Sequence, residues 1–292
     1  MRALLLAAFS LLCAAGVYPM WVARTHTTLP TAEWQSTPDR GAMTMFQQPG
    51  AGPPTTPSPA ANPETLARTL EAPRPVAAEA SACPENMVLV EGEYCPDVEH
   101  RCKRWMDPEG PYHYFRCAEY EQPARCKSAR VTMRFCIDRD EYTPAGESLP
   151  ANHKSLTDAS RTCKSLGKRV CRESEWNFAC EGEEMRPYPY GFSRDSSACN
   201  ADHTDIVSSA GTLIDRRAPS DAYPRCESPF GVRNLSGNLE EMVARDGPGP
   251  MRAAMKGAYW QPSRNHCRAA QTAHDEYYNG TETGFRCCAD AP

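Results

Sequence analysis

The chain has 292 residues, 40% of them hydrophobic, and carries 27 prolines and 15 cysteines. That length supports one good-sized core, and the composition is unlike that of an average cytosolic enzyme. The net charge of −5 is small and spread without a basic run, which excludes nucleic acid as an expected partner. Cys13 lies in an N-terminal apolar run, and the other fourteen cysteines fall between Cys83 and Cys288. An even set in one stretch predicts disulfides in an oxidising compartment. With no CxxC pair and no histidines at ligand spacing, it does not predict structural zinc.

Residues 1–24 read as a targeting segment of one of two kinds. Arg2 precedes an uncharged run from Ala3 to Ala23, in which Ala14, Ala15 and Gly16 offer a cleavage point for a signal peptide. The same 21 residues, flanked by Arg2 and Arg24, are long enough to stay in a membrane as a signal anchor. Ser10, Leu11 and Leu12 ahead of Cys13 lack the small residues of a lipid attachment site. Residues 25–82 carry ten prolines and no cysteine. Such a stretch cannot bury enough apolar surface to offset ordering entropy, so a disordered Pro-rich linker is expected.

The folded part, residues 83–292, opens with the alternating run MVLVEGEY, Met87 to Tyr94, which reads as a strand. Between Cys95 and Cys126 lie four cysteines and the aromatics Trp105, Tyr112, Tyr114 and Phe115. We read this as a disulfide-stapled insertion whose aromatics pack a small core, with ligand binding as the other use of such side chains. RFCIDRDEYT, Arg134 to Thr143, is the next strand. Ser155 and Asp158 form a capping box ahead of Leu156, Ala159, Cys163 and Leu166 at helical spacing, with Gly167 as the stop. A second helix runs within Gly167 to Gly182.

Asn234, Gly237, Leu239 and Glu241 are the strongest chemical constellation. A hard cation needs converging oxygens, and an Asn side chain, two backbone carbonyls and a carboxylate around a tight glycine turn supply them. The same residues also serve as plain turn formers. Asn234 and Asn279 stand in glycosylation sequons; an Asn234 that held an ion would be a poor acceptor for sugar.

GVRNLSGNLEE (Gly231 to Glu241), GFRCC (Gly284 to Cys288), Glu173, Glu175 and Trp176 in the second helix, and the Tyr188-Pro189-Tyr190-Gly191 turn together resemble the sulfatase-modifying-factor family. Its founding activity is the formylglycine-generating enzyme. The resemblance covers about 200 residues from Met87 onward. It implies a single α+β domain of the C-type-lectin-like, formylglycine-generating type, disulfide-rich with much irregular structure. It also implies a calcium site at Asn234, Gly237, Leu239 and Glu241, and a second, more loosely aligned one at Asn200, Ala201 and Asp215. Cys163 should pair with Cys287 and Cys180 with Cys267; Cys171 with Cys288 and Cys199 with Cys226 are guesses among the remaining partners. Arg172 replaces the Thr that would cap the second helix, a loss of about 1 kcal/mol.

The family enzyme oxidises a substrate cysteine with a copper ion held by two thiolates, a soft donor pair suited to Cu(I). In KGAYWQPSRNHCR, Lys256 to Arg268, Ala258 stands at the family's serine, Gln261 at the first copper cysteine, and no cysteine falls between Tyr259 and His266. Cys267 resembles a later, structural cysteine. His266, His274 and Glu276 do not make a replacement metal site. The expectation is therefore a calcium-stabilised, extracytoplasmic module that binds a protein or glycan partner, with copper unlikely as a cofactor. It would be secreted, periplasmic or anchored through residues 3–23. The alternative is a copper-dependent oxidase making formylglycine, and whether the domain is an enzyme stays open at this point.

Overall fold

The structure is a computed structural model that describes residues 82–248 and 252–292. The targeting segment, Cys13 and the Pro-rich stretch up to residue 81 lie outside the described residues. Among the described residues, no helix is long and apolar enough to cross a membrane.

The chain alternates short strands with two helices. In order they are β1 Met87–Tyr94, β2 Val98–Glu99, β3 Cys102–Trp105, β4 Cys117–Tyr120, β5 Arg125–Cys126, β6 Val131–Asp138, α1 Leu156–Ser165, β7 Arg169–Val170 and α2 Glu173–Glu181. After α2 come β8 Glu240–Ala244, β9 Ala253–Lys256, β10 Ala270–Gln271, β11 Thr283–Gly284 and β12 Cys287–Asp290. One sheet has the order β1-β6-β12-β7 and a second the order β10-β9-β8-β11, with β11 parallel to β8. The insertion forms two hairpin-like pairs, β2 with β5 and β3 with β4. Residues 182–239, between α2 and β8, hold only isolated bridges such as Val207 with Leu213 and Glu227 with Arg233. The domain is α+β and disulfide-rich, with much irregular structure.

Local chemistry explains both helix starts. Ser155 Oγ accepts from Asp158 N at 3.1 Å and Asp158 returns the bond to Ser155 N, a complete capping box. Arg172 gives α2 no side-chain cap, but Glu175 accepts from the Arg172 amide at 2.8 Å and Asp246 accepts from the Ser174 amide at 2.7 Å. The Ser174 amide, an orphan donor that a Thr cap would have served, is thus met from the loop after β8, and Glu175 supplies the returning half of a capping box.

Three expectations need correction. The strand read at Arg134–Thr143 is shifted, since β6 starts at Val131 to match all eight residues of β1 and ends at Asp138, where the chain turns inward. Leu166 is not a core position: it is the C-cap of α1 and exposed. Trp105, Tyr112, Tyr114 and Phe115 do not pack a small core either; all four are exposed, and the buried aromatic of the insertion is Tyr120, packed on Tyr188.

Seven disulfides take up all the cysteines among the described residues: Cys83–Cys136, Cys95–Cys126, Cys102–Cys117, Cys163–Cys287, Cys171–Cys288, Cys180–Cys267 and Cys199–Cys226. Adjacent Cys287 and Cys288 serve different partners because successive strand side chains face opposite ways. Cys287 joins the apolar cluster of Leu156, Ala159, Met242 and Phe285, whereas Cys288 joins that of Val90, Ile137, Trp176 and Leu235. β12 therefore ties both sides of its sheet to the core.

Candidate functional site

Two neighbouring regions carry the site chemistry: a buried oxygen cluster at the N-terminal end of β8, and a cavity walled by the segment that follows β9.

Asn234 and Asn238 both take left-handed backbone, φ 56° and 57°, so the chain folds tightly around Gly237 at φ 80°. A Cβ on Gly237 would lie 2.3 Å from the Asn200 carbonyl oxygen. Only glycine allows that approach, and through it Asn200 and Asn238 meet: Asn238 N donates to Asn200 O and Asn200 Nδ2 to Asn238 Oδ1, each at 2.8 Å. Asn234, Gly237, Leu239 and Glu241 are thus brought beside Asn200 and Ala201. Asp215 is turned aside, its carboxylate forked onto Arg217 at 2.6 to 3.1 Å.

Glu241 is 1% exposed and both its oxygens are gripped by Arg286, at 2.6 and 2.7 Å, with Trp176 Nε1 donating a third bond at 2.9 Å. Sequence reasoning missed Glu141, which lies just past β6 and turns into the same cluster. It accepts from Asn238 Nδ2 at 2.6 Å and from Leu239 N at 3.1 Å, and Asn234 Nδ2 lies 3.4 Å away. Burial, then the nearby charge of Glu241, pushes its carboxyl well above the usual range. Among the described residues Glu141 forms no ion pair, and Asn234 Oδ1 is buried without a hydrogen-bond partner. A buried carboxylate outside any ion pair, its nearest cation Arg286 already taken by Glu241, and an orphaned amide oxygen fit a hard cation such as calcium. Such an ion would be held by Asn234, the Gly237 and Leu239 carbonyls and the carboxylates, and would neutralise like charges that now oppose each other. The acidic run Asp138 to Glu141 at a strand end was the available sequence signal for Glu141.

The second region begins at Gly257 and Ala258. Gly257 sits against Trp176, where an added Cβ would be 3.2 Å from the ring, and Ala258 adopts φ 56°. An alanine there costs on the order of 1–2 kcal/mol and persists only because both flanks are pinned. Trp260 is fully buried, with its carbonyl accepting from His203 N at 2.8 Å. At the other flank Cys267 is bridged to Cys180, and Arg268 pairs with Glu181 and stacks 5.0 Å from the Tyr94 ring.

Between these anchors opens a cavity of about 310 Å³ whose lining includes Ala258, Tyr259, Gln261 and Ser263, Glu240 of β8, and Tyr278 and Glu282 from the loop before β11. Burial, then repulsion from Glu282, pushes the Glu240 carboxyl up to about 7. Burial and the same two carboxylates push the Tyr259 hydroxyl up to about 12. Tyr278 donates to Glu282 Oε1 at 2.7 Å and stacks on His274 with centroids 3.7 Å apart. His266 lies outside this lining, against His100 and Tyr120, and burial lowers its ring to about 3. Copper does not fit the cavity. Soft Cu(I) wants thiolates, and the wall offers oxygens, amides and rings while the described cysteines are all bridged. Glu240 and Glu282 went unnoticed in the sequence, because a strand residue beside a motif and a loop glutamate each look solvated until β8 and β11 are paired.

Residues 97–291 match the family described as the sulfatase-modifying factor enzyme 1-like domain. The bovine (Bos taurus) formylglycine-generating enzyme is 25% identical over 166 residues, 48% of this chain and 44% of that one. A Mus musculus relative named inactive C-alpha-formylglycine-generating enzyme 2 is 26% identical over 159 residues, 49% of this chain and 50% of that one. The chain thus spans about half the length of these curated relatives. Among solved structures, CarF covers 72% of this chain and 99% of its own at 14% identity and a TM-score of 0.49.

Proposed function

The chain belongs to the sulfatase-modifying-factor family, and from that premise we propose that its domain is a non-catalytic or differently catalytic extracytoplasmic module that binds a protein or glycan partner. One observation carries this reading. All fourteen cysteines from Cys83 to Cys288 are in disulfides, so the cavity at the position of the family's copper pair presents Ala258 and Gln261 and no thiol. A two-thiolate copper centre needs reducible sulfur beside the substrate, and no neighbouring group supplies equivalent redox chemistry. The mouse relative named as inactive is in keeping with a family whose fold outlives its first chemistry.

The disulfides assign an oxidising, extracytoplasmic compartment. Within it the module is secreted, periplasmic or anchored through residues 3–23. Calcium at Asn234, Gly237, Leu239 and Glu241, with Glu141, would stabilise the turn that sets β8 and with it one wall of the cavity. The competing reading, a copper-dependent formylglycine-generating oxidase, draws on the name of the bovine relative. One assay separates the two. Incubated with Cu(I), oxygen and a peptide carrying a CxPxR motif, the protein should leave the cysteine unchanged. An aldehyde whose formation stops when copper is chelated would overturn the binding-module reading.

A further inference from the structure

The buried or half-buried glutamates Glu175, Glu181 and Glu241 each have an arginine: Arg169, Arg268 and Arg286. Glu240 and Glu282 do not. They face one cavity, joined through the Glu240 amide donating to the Glu282 carbonyl at 2.9 Å, and neither forms an ion pair among the described residues. A third group in the same wall also lacks a partner among the described residues: Ser263 is 9% exposed and its Oγ makes no hydrogen bond there. Two carboxylates without a cation and a buried hydroxyl without a partner describe a subsite whose missing component is positively charged and donates hydrogen bonds.

The walls narrow the class of cation. Tyr259, Tyr278 and Phe115 line the space. Aromatic faces suit the alkyl stem and ammonium of an organic cation better than a hydrated metal ion. No group of three or more His, Cys, Asp or Glu converges as a metal site among the described residues. At about 310 Å³ the cavity lies at the small end of ligand pockets, the size for one side chain.

The mouth indicates what bears that side chain. Phe115 belongs to the insertion, where Trp105, Tyr112 and Tyr114 are also exposed; Trp105 and Tyr114 meet edge-on at 5.2 Å, and Phe115 N donates to Tyr112 O at 2.9 Å. Arg264 also lines the cavity, but its guanidinium lies over the Phe115 ring at 5.3 Å and, among the described residues, pairs with neither Glu240 nor Glu282. Exposed aromatics with an arginine are what protein contact surfaces concentrate. This extends the binding-module reading and rests on it.

We propose that the cavity receives the ammonium group of a lysine side chain from a partner polypeptide, held between Glu240 and Glu282, with the aromatic strip of the insertion gripping the flanking chain. The oxidised full chain is titrated with acetyl-Gly-Gly-Lys-Gly-Gly-amide, with its norleucine counterpart and with butylammonium, followed by calorimetry or ligand-observed NMR. The lysine peptide should bind at least about tenfold more tightly than the norleucine peptide. A Glu240→Gln, Glu282→Gln double variant that keeps its melting temperature should lose that preference. Equal binding of the two peptides by the native protein, or no binding of either, overturns the proposal without any variant. Butylammonium binding as tightly as the lysine peptide overturns the polypeptide part, since the strip would then contribute nothing. An aldehyde in the copper assay would strike the non-catalytic reading while leaving the lysine-to-norleucine ratio as a separate readout.

Discussion

Arg286 forks onto Glu241 with both oxygens engaged and both side chains sealed from solvent, 0% and 1% exposed. The acid that the sequence offers as a calcium ligand is therefore also half of a buried ion pair, and its removal acts twice. Glu241→Gln should destabilise the domain by about 3–5 kcal/mol with or without calcium, because it strands the Arg286 charge. Asn234→Ala leaves that ion pair intact and removes the orphaned oxygen, together with the Nδ2 that donates to Ser220 O at 3.0 Å. In the native protein chelation should lower the melting temperature, by an amount equivalent to about 2.7 kcal/mol when calcium had stood at a hundredfold its dissociation constant. That calcium-dependent increment should vanish in Asn234→Ala. A melting curve indifferent to chelation would leave the cluster as a turn.

The disulfide between Cys180 and Cys267 closes a separation of 87 residues and fixes one flank of the cavity. Replacing both cysteines by alanine should cost about 4–5 kcal/mol on the chain-entropy view. Peptide mapping of the native protein should find no free thiol from Cys83 to Cys288. A reducible Cys267 in the folded state would refute the assignment and reopen the copper question.

Lys256 is fully buried, 3.7 Å from Glu173 and 5.5 Å over the Trp176 ring, with no hydrogen bond from its ammonium to any of the described residues. Burial lowers it to about 8; Glu173 and Glu181 oppose that shift and Arg268 adds to it. The folded state then holds this proton less tightly than the unfolded chain. The resulting penalty is fully present below about pH 8 and fades as pH rises toward the ordinary lysine value of about 10.4. Lys256→Met should consequently raise stability at pH 7, by on the order of 3 kcal/mol. The gain should shrink at pH 10, which paired thermal melts would show. A variant less stable than the native protein at pH 7 would mean that the contact with Trp176 outweighs the desolvation.

Gly237→Ala places a methyl group 2.3 Å from a backbone oxygen at φ 80°, where neither side can yield. We expect a loss above about 2 kcal/mol, seen as a lower melting temperature or failure to accumulate folded protein.

Local order was open to reading in the sequence wherever short-range chemistry decides it. MVLVEGEY forms β1 over Met87–Tyr94, and the Ser155 box starts α1. What escaped depends on partners far along the chain. Leu166 has helical spacing yet follows the last turn, and the aromatics of the insertion meet one another at the surface rather than in a core. Glu141 enters the oxygen cluster through Asn238 and Leu239, and Glu240 meets Glu282 because β11 lies parallel to β8. No periodicity reports whether a carboxylate will be buried by a segment about a hundred residues away, whereas oxygens within an eight-residue motif are visible at once.

The two bridges of β12 also set a timetable for biosynthesis. Cys163 must wait for a partner 124 residues downstream and Cys171 for one 117 downstream, whereas Cys102 finds Cys117 after only 15. At about 5–20 residues per second, the insertion can oxidise within a few seconds of emerging, while α1 waits roughly 6–25 s with a reduced thiol and Cys171 and Cys180 nearby as wrong partners. Disulfide isomerase activity, rather than oxidant alone, should therefore govern the yield of correctly paired protein from any expression host.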